Sequence, residues 1–437
     1  MCPTSDPVVE RASGSVLNLT DLEAMNLSDL RGYAQGAGLS SISGLKKQDL
    51  IFRLLEAQAE REGNIFASGI LESVEEGYGF LRQNRFLPGP NDIYVSLTQI
   101  RRFGLRTGDE VTGQVRPPKE NEKYFGLLRV EAVNGTDPEA APARPHFDDL
   151  SPAYPTEMFK LETTADALTG RVIDLLAPIG KGQRGLIVGP PKSGKTTLLQ
   201  QIAAGIAGNS PNALLVVLLI GERPEEVTDM QKGGLGDVLF SAFDEPAERH
   251  VHIAEMALER ARRLVECGRE VVILLDSLTR LVRAYNLTAS SGSHVVSEEL
   301  DPYALYPAKR FFGTARNVDR GGSLTIVATC HTATGSRIDD QICEEFRGAS
   351  NMEISLNAQL LEHRIFPAID ILHSGTRREE LLIDPWVLQS IWGMRHALTS
   401  VGTMEGAELL LSRLAGFPDN QAFLESLGKE TPNEVWR

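Results

Sequence analysis

Apolar residues recur along this chain with three different periods, and the changes of period divide it. Within residues 20–62, Leu50, Leu54 and Ala57 repeat at helical spacing with Ile51 and Leu55 beside them, behind the polar start Lys46-Lys47-Gln48-Asp49. Thr20-Asp21-Leu22-Glu23 and Ser28-Asp29-Leu30-Arg31 read as further helix starts, so a small helical module is predicted. Across residues 64–132 the period shortens. Five runs, at 67–72, 77–82, 92–95, 110–115 and 124–130, carry β-type residues between turn residues and predict a small barrel of the OB or cold-shock kind. Over residues 161–437 the candidate strands are 185–188, 213–220, 271–275 and 324–329. They alternate with candidate helices at 195–207, 247–267 and 308–317, as in a parallel α/β sheet. Residues 133–160 hold Pro138, Pro142, Pro145, Pro152 and Pro155 among polar residues and read as an extended linker. Residues 1–19, polar and rich in Ser, Pro and Gly, read as a disordered tail.

Composition narrows the class. A chain of 437 residues holds two or three domains. No run approaches the roughly 18 to 20 apolar residues that span a bilayer. The start Met1-Cys2-Pro3-Thr4-Ser5-Asp6 lacks the basic and apolar regions of a secretory signal, so a cytoplasmic protein with no membrane partner is expected. Cys2, Cys267, Cys330 and Cys343 have no metal-ligand spacing and read as reduced thiols. The net charge of −15 argues against a basic coat that grips duplex nucleic acid, but leaves room for a local basic groove.

The chemistry begins at Gly189-Pro190-Pro191-Lys192-Ser193-Gly194-Lys195-Thr196, which fits G-x-x-x-x-G-K-[ST]. An apolar run precedes it and a helical pattern from Thr197 follows, the strand–loop–helix context a phosphate loop needs. Backbone N–H groups at a helix start then face the phosphates of a nucleotide, Lys195 adds charge, and the Thr196 hydroxyl suits Mg²⁺. The run at 271–275 ends in Asp276, which holds Mg²⁺ in a Walker B role or caps the next helix, as Ser277 and Thr279 also can. The run before it ends at Glu222, placed to orient or deprotonate the attacking water. Three adjacent strands are thus expected to bring the P-loop, Glu222 and Asp276 to one crevice. Glu225 and Glu226 suit the start of a following helix. Arg364 and Arg377 are candidates to meet the charge on a transferring phosphoryl group, in their own subunit or a neighbour's, or else are surface ion-pair arginines.

In the barrel segment, Tyr78, Phe80 and Arg82 fall on one strand face, with Tyr94 and Tyr124 in other strands. Such rings either stack on bases of single-stranded nucleic acid or fill the barrel core. Local acids balance Arg101, Arg102, Arg116 and Lys119, so binding here relies on stacking more than on phosphate neutralisation.

These segments together resemble the bacterial Rho termination factor family from roughly residue 20 to 420. The likeness is carried by Lys46-Lys47-Gln48-Asp49-Leu50, Gly77-Tyr78-Gly79-Phe80-Leu81-Arg82, Gln99-Ile100-Arg101-Arg102-Phe103, the P-loop, Glu222-Arg223-Pro224-Glu225-Glu226-Val227, Lys309-Arg310-Phe311-Phe312-Gly313 and Phe366-Pro367-Ala368-Ile369-Asp370. The resemblance implies a homohexameric ring of RecA-like domains. It also implies an RNA-dependent ATPase that moves 5′ to 3′ on unstructured pyrimidine-rich RNA and unwinds RNA–DNA hybrids, with RNA polymerase and elongation factors as partners. By position, Tyr78, Phe80, Arg82, Asp92, Tyr94, Glu122 and Tyr124 would form the primary RNA site. Lys192, Lys195, Thr196, Glu222, Arg223 and Asp276 would serve the nucleotide, with Phe366 near the adenine, while Arg377 and Arg364 would reach in from the neighbour. Of the family's two pore loops, one matches Thr334-Gly335-Ser336-Arg337 and keeps its basic residue. The other, at 287–299, departs: His294 stands where a basic residue is common and Glu298-Glu299 where a glycine pair is usual. Gly221 likewise replaces a common Asp. The pore departure leaves a second reading, an ATP-gated RNA-binding regulator that does not translocate. A rotary-type ATPase subunit shares the core layout, but the aromatic barrel speaks against it.

Overall fold

The computed structural model describes residues 22, 25–39, 45–61, 65–83, 86–119, 122–290, 300–319 and 321–427. The 1–19 tail, His294, Glu298 and Glu299 lie outside these residues. The chain divides into two compact units between Arg144 and Pro145.

In the first unit, α1 (Leu27–Gly36) and α2 (Lys47–Arg61) bury Leu30, Ala34, Leu50, Ile51, Leu54 and Leu55 together with Leu22. The cap of α1 is Asn26, whose side chain accepts the Asp29 N–H at 2.9 Å, so Ser28 sits in the first turn instead of opening the helix. Strands β1 (Ile65–Ser73), β2 (Gly79–Arg82), β3 (Ile93–Val95), β4 (Glu110–Arg116) and β5 (Phe125–Val133) close into a barrel in the order β1-β2-β3-β5-β4, with β1 pairing β4. Closure removes both sheet edges. The short helix α3 (Leu97–Arg102) between β3 and β4 is held by a reciprocal Ser96–Gln99 capping box. Leu71, Leu81, Ile93, Val95, Val111, Val115, Leu127 and Val130 fill the barrel. The proline-rich stretch is not simply extended. It forms 3₁₀ turns at Pro138–Ala143 and Phe147–Asp149, because Ala141 buries in the barrel core and Phe147 buries in the second unit.

The second unit runs β6 (Pro152–Ala153), β7 (Met158–Phe159), α4 (Leu168–Leu176), β8 (Ile179–Gly180), β9 (Arg184–Gly189), α5 (Lys195–Asn209), β10 (Leu214–Glu222), α6 (Pro224–Lys232), β11 (Asp237–Ala242), α7 (Ala247–Glu266), β12 (Glu270–Asp276) and α8 (Leu278–Ser290). It continues with α9 (Pro302–Gly313), β13 (Arg316–Val318), β14 (Ser323–His331), α10 (Arg337–Arg347), β15 (Met352–Ser355), α11 (Ala358–Glu362), β16 (Gly375–Thr376), α12 (Pro385–Val401), α13 (Thr403–Ala415) and α14 (Asn420–Leu427). The main sheet has the order β11-β10-β12-β14-β9-β15-β16 and is parallel up to β15. Its strands are apolar on both faces, as a sheet covered on both sides requires. The helix expected at 308–317 starts earlier, with Pro302 behind an Asp301 cap, and stops at Gly313; Arg316 and Asn317 belong to β13. Fully buried Arg171 on α4 ties the C-terminal helices down, donating to the carbonyls of Ala165 (3.1 Å), Leu414 (2.9 Å) and Phe417 (2.9 Å). Among the described residues, no helix is long and apolar enough to cross a membrane.

Candidate nucleotide and RNA sites

The P-loop joins β9 to α5, and two of its residues take left-handed backbone: Lys192 (φ 63°) and Gly194 (φ 82°). This turn brings the start of α5 back toward the strand end, where its N–H groups face an anion. Lys195 is buried; its ammonium donates to the carbonyls of Gly189 (3.0 Å) and Pro190 (2.6 Å) and to Ser193 Oγ (3.3 Å). Burial lowers its pKa to about 8. Pro191, Lys192 and Thr197 are exposed around it.

Asp276 ends β12 almost wholly buried. Its carboxylate accepts the Thr196 hydroxyl at 2.8 Å and the Thr329 hydroxyl at 2.6 Å. The capping role falls to Ser277, which accepts the Arg280 N–H at 3.3 Å. Glu222 ends β10, paired with Arg280, and burial with the nearby Asp276 charge raises its pKa to about 7. The register of β10 against β11 shifts between Ile220 and Glu222, around Gly221 at φ 65°. A bulge of this kind re-aims the next side chain, and a glycine carries the positive φ without strain.

The three strands are not all neighbours. β12 lies beside β10, but β14 separates β12 from the P-loop strand β9. Sequence order alone hid this, because the chain leaves β9 and returns across the sheet. The intervening strand supplies residues that motif reading missed. Thr329 holds Asp276, and Thr279 accepts the His331 backbone N–H at 2.9 Å. His331 is held neutral, with its pKa lowered to about 4 by burial and the Lys195 charge, and its Nε2 is buried without a partner. The signal available in sequence was the polar Thr329 at the end of the run 324–329, the end at which an open α/β sheet places its ligands.

A cavity of about 430 Å³ runs beside the loop, lined by Ser193, Gly194, Thr197, Gly170, Leu356 and Phe366 among others. It joins Phe366 to the P-loop. Arg364 is exposed at φ 62°, two residues before Phe366. Arg223 caps α6 and is exposed, with Glu225 and Glu226 in the first helical turn. Arg377 is not brought to this loop. It follows β16, its N–H donates to the Asn351 carbonyl at 2.9 Å, and it stands near Arg184 at the start of β9. Arg337 opens α10 and is exposed, after a turn with Ala333 and Gly335 in left-handed conformation.

On the barrel, the choice between core and surface is decided by alternation. Leu81, Ile93 and Val95 point inward, so Phe80, Arg82 and Tyr94 stand outside. Phe80 pairs with Tyr94 across β2 and β3. Ring centroids lie 5.6 Å apart for Tyr78–Tyr94 and 4.9 Å for Phe80–Tyr124, and the Arg82 guanidinium sits 5.2 Å from the Phe80 ring. Arg82 is paired with Glu72 (2.6 Å) and with the buried Asp92. Glu122 lies under Arg116, which holds its pKa down at about 2. The Arg82 and Arg116 charges are thus met by Glu72, Asp92 and Glu122, and the ring cluster stands beside them on the outer face. Phe80→Ala is expected to weaken binding of a pyrimidine oligonucleotide about tenfold, the loss of one stacked base, while ATP binding stays unchanged; fluorescence anisotropy with each ligand checks both.

Comparison with known proteins places the chain in a family. Three family profiles match: "Rho termination factor, N-terminal domain" over residues 21–63, "Rho termination factor, RNA-binding domain" over 67–139, and "ATP synthase alpha/beta family, nucleotide-binding domain" over 170–376. Transcription termination factor Rho of Bacillus subtilis is 51% identical over 415 residues, spanning 95% of this chain and 97% of that protein. The Aquifex aeolicus protein of the same name is 48% identical over 430 residues, 97% of this chain and 99% of its own. Among solved structures, a prototypical ATPase from the type III secretion system of pathogenic bacteria has a TM-score of 0.54 at 23% identity, covering 64% of this chain and 87% of its own; that likeness speaks to the fold alone. With about half its residues identical across nearly its whole length, the chain belongs to the transcription termination factor Rho family.

Proposed function

We propose that this chain is an RNA-binding transcription termination factor that hydrolyses ATP to move along RNA. In this reading six copies form a ring in the cytoplasm. The barrel takes unstructured pyrimidine-rich RNA, and hydrolysis at the subunit boundaries draws the strand 5′ to 3′, unwinding RNA–DNA hybrids behind RNA polymerase. The observation that carries it is the division of the nucleotide chemistry: Lys195, Thr196, Asp276 and Glu222 gather at one end of the sheet, and Arg377 stands beyond the other.

ATP phosphates would lie on the N–H groups of Ser193 to Thr197, drawing Lys195 from the Gly189 and Pro190 carbonyls it now satisfies. The Thr196 hydroxyl and Asp276 carboxylate form an oxygen-only pair suited to Mg²⁺, which would neutralise phosphate charge when bound. Glu222 is the group to accept the proton of the attacking water, and Phe366 would cover the adenine. Arg223, Arg364 and Lys192 add positive charge around the phosphates.

The burial of Glu222 and Lys195 predicts a pH profile. A carboxyl with a pKa near 7 is protonated below it and accepts no proton; Lys195 loses its charge above about 8. The kcat/KM for ATP, which reports the free enzyme, should therefore fall on the acid side of about 7 and again on the alkaline side of about 8. A flat profile from pH 6 to 9 would show that neither the Glu222 carboxyl nor the Lys195 ammonium titrates in that window, against the effect of their burial.

The test of the function is ATP hydrolysis with and without a pyrimidine homopolymer RNA. Strong stimulation, lost in Lys195→Ala, is expected; hydrolysis indifferent to RNA would end the motor reading. Unwinding of an RNA–DNA hybrid with a C-rich 5′ tail separates a motor from a clamp that binds without moving.

A further inference from the structure

We propose that His331, at the tip of β14, donates a hydrogen bond from Nε2 to the γ-phosphoryl group of ATP and sets this chain's preference for ATP over ADP. The sheet places it there. β14 lies between the P-loop strand β9 and β12, and His331 is its last residue, paired with Gly189, the first residue of the loop. Side chains alternate along a strand, so Thr329 and His331 share a face. Thr329 reaches Asp276 from that face at 2.6 Å. His331 follows two residues on, roughly 7 Å nearer the strand end where such sheets hold their ligands. The charged neighbours of the imidazole are Lys195, Asp276, Arg280 and Asp339. Lys195 belongs to the phosphate grip, and Arg280 holds Glu222, the group assigned to the attacking water. A γ-phosphoryl group has to lie between those two functions.

Nothing in the described residues satisfies the Nε2 atom, which is buried. Both acids near the ring face other donors. Asp276 accepts the hydroxyls of Thr196 and Thr329, and Asp339 accepts from Arg283 Nε (2.8 Å) and the Thr334 hydroxyl (2.7 Å). The Thr279 hydroxyl takes the backbone N–H of His331 and lies 3.4 Å from Cys330 Sγ. A neutral imidazole carries one N–H and one lone pair. Phosphoryl oxygens only accept, so Nε2 carries the proton in the bound state. An unpaired nitrogen kept from water costs stability, and a leucine would fill the same space without that cost. A ligand that brings the missing acceptor offsets it. ADP ends one phosphoryl group short, so the contact separates the two nucleotides. A resident metal is not the missing partner, because among the described residues no three His, Cys, Asp or Glu side chains gather to hold one.

The contact rests on the nucleotide-binding reading of the P-loop and is tested by binding alone, with neither hydrolysis nor RNA. Full-length His331→Leu protein is titrated with ADP and with adenylyl imidodiphosphate, whose γ-phosphoryl group is not hydrolysed. Affinity for the imidodiphosphate should fall about tenfold or more while ADP affinity holds, the loss of one hydrogen bond to a charged group. His331→Gln keeps an N–H donor and should retain most of the affinity. The ligand-free leucine variant should melt at or above the temperature of the parent, since it buries no unpaired nitrogen. An unchanged ratio of the two affinities overturns the contact. So does equal weakening toward both nucleotides with a lowered melting temperature, which would make His331 a packing residue. A parent chain that binds neither nucleotide would overturn the P-loop reading and this contact together. Selective loss of imidodiphosphate affinity beside hydrolysis indifferent to RNA would sink the motor and sustain the contact.

Discussion

Alanine at Arg377 is expected to lower kcat for RNA-stimulated ATP hydrolysis by about 10³-fold or more, with little change in ATP affinity. Geometry supplies the reason. Thr376 pairs with Met352, and Met352 with Gly185 at the start of β9; the P-loop begins at Gly189, at the far end of that six-residue strand. At about 3.3 Å per residue, the strand alone separates them by more than an arginine side chain spans. Arg377 therefore does not reach the phosphates of its own subunit. It contributes to hydrolysis across a boundary or not at all. Steady-state hydrolysis with saturating RNA checks the size of the loss, and near-normal turnover would make Arg377 an ordinary surface cation. Arg377→Lys should recover only part of the rate, since an ammonium lacks the planar fork that meets two phosphoryl oxygens.

The second large effect concerns Glu222. Glu222→Gln should lower kcat about 10²- to 10⁴-fold while ATP still binds, because the amide keeps the shape and hydrogen bonding of the site but takes no proton. Its burial, its pairing with Arg280 and its raised pKa all describe a carboxylate kept from water beside Asp276. Nucleotide titration next to single-turnover hydrolysis separates the two functions. If the variant loses ATP binding as badly as turnover, Glu222 is structural. Asp276→Asn provides the contrast, since it removes the charge from a carboxylate that two threonine hydroxyls already hold.

Local signals carried most of the chemistry. The P-loop is contiguous, Asp276 and Glu222 close apolar runs, and the rings at Tyr78, Phe80 and Tyr94 alternate with Leu81, Ile93 and Val95, so each announces itself within a few residues. What did not announce itself was assembled from afar. Placing β14 between β9 and β12 depends on how the chain crosses the sheet, and with that strand came Thr329 and His331. Arg280 belongs to the site only because α8 starts directly after Asp276 and turns its guanidinium onto Glu222. The helix expected at 308–317 begins instead at Pro302, which sits in the first turn of α9, where its missing N–H costs nothing. Composition alone makes the proline-rich 133–160 stretch look extended, because it does not register that Ala141 and Phe147 find apolar surfaces.

The central claim is that each hydrolytic centre is made by two copies of the chain. Subunit mixing tests it most directly. Lys195→Ala protein keeps its Arg377 but lacks a working P-loop; Arg377→Ala protein has the reverse defect. Each alone should be nearly inactive. Mixed in the presence of RNA under conditions that allow exchange, they should regain a readily measured fraction of RNA-stimulated hydrolysis, because some boundaries then join an intact loop to an intact arginine. If mixtures that demonstrably co-assemble remain as inactive as either parent, the arginine does not act across the boundary and the shared-centre account is wrong.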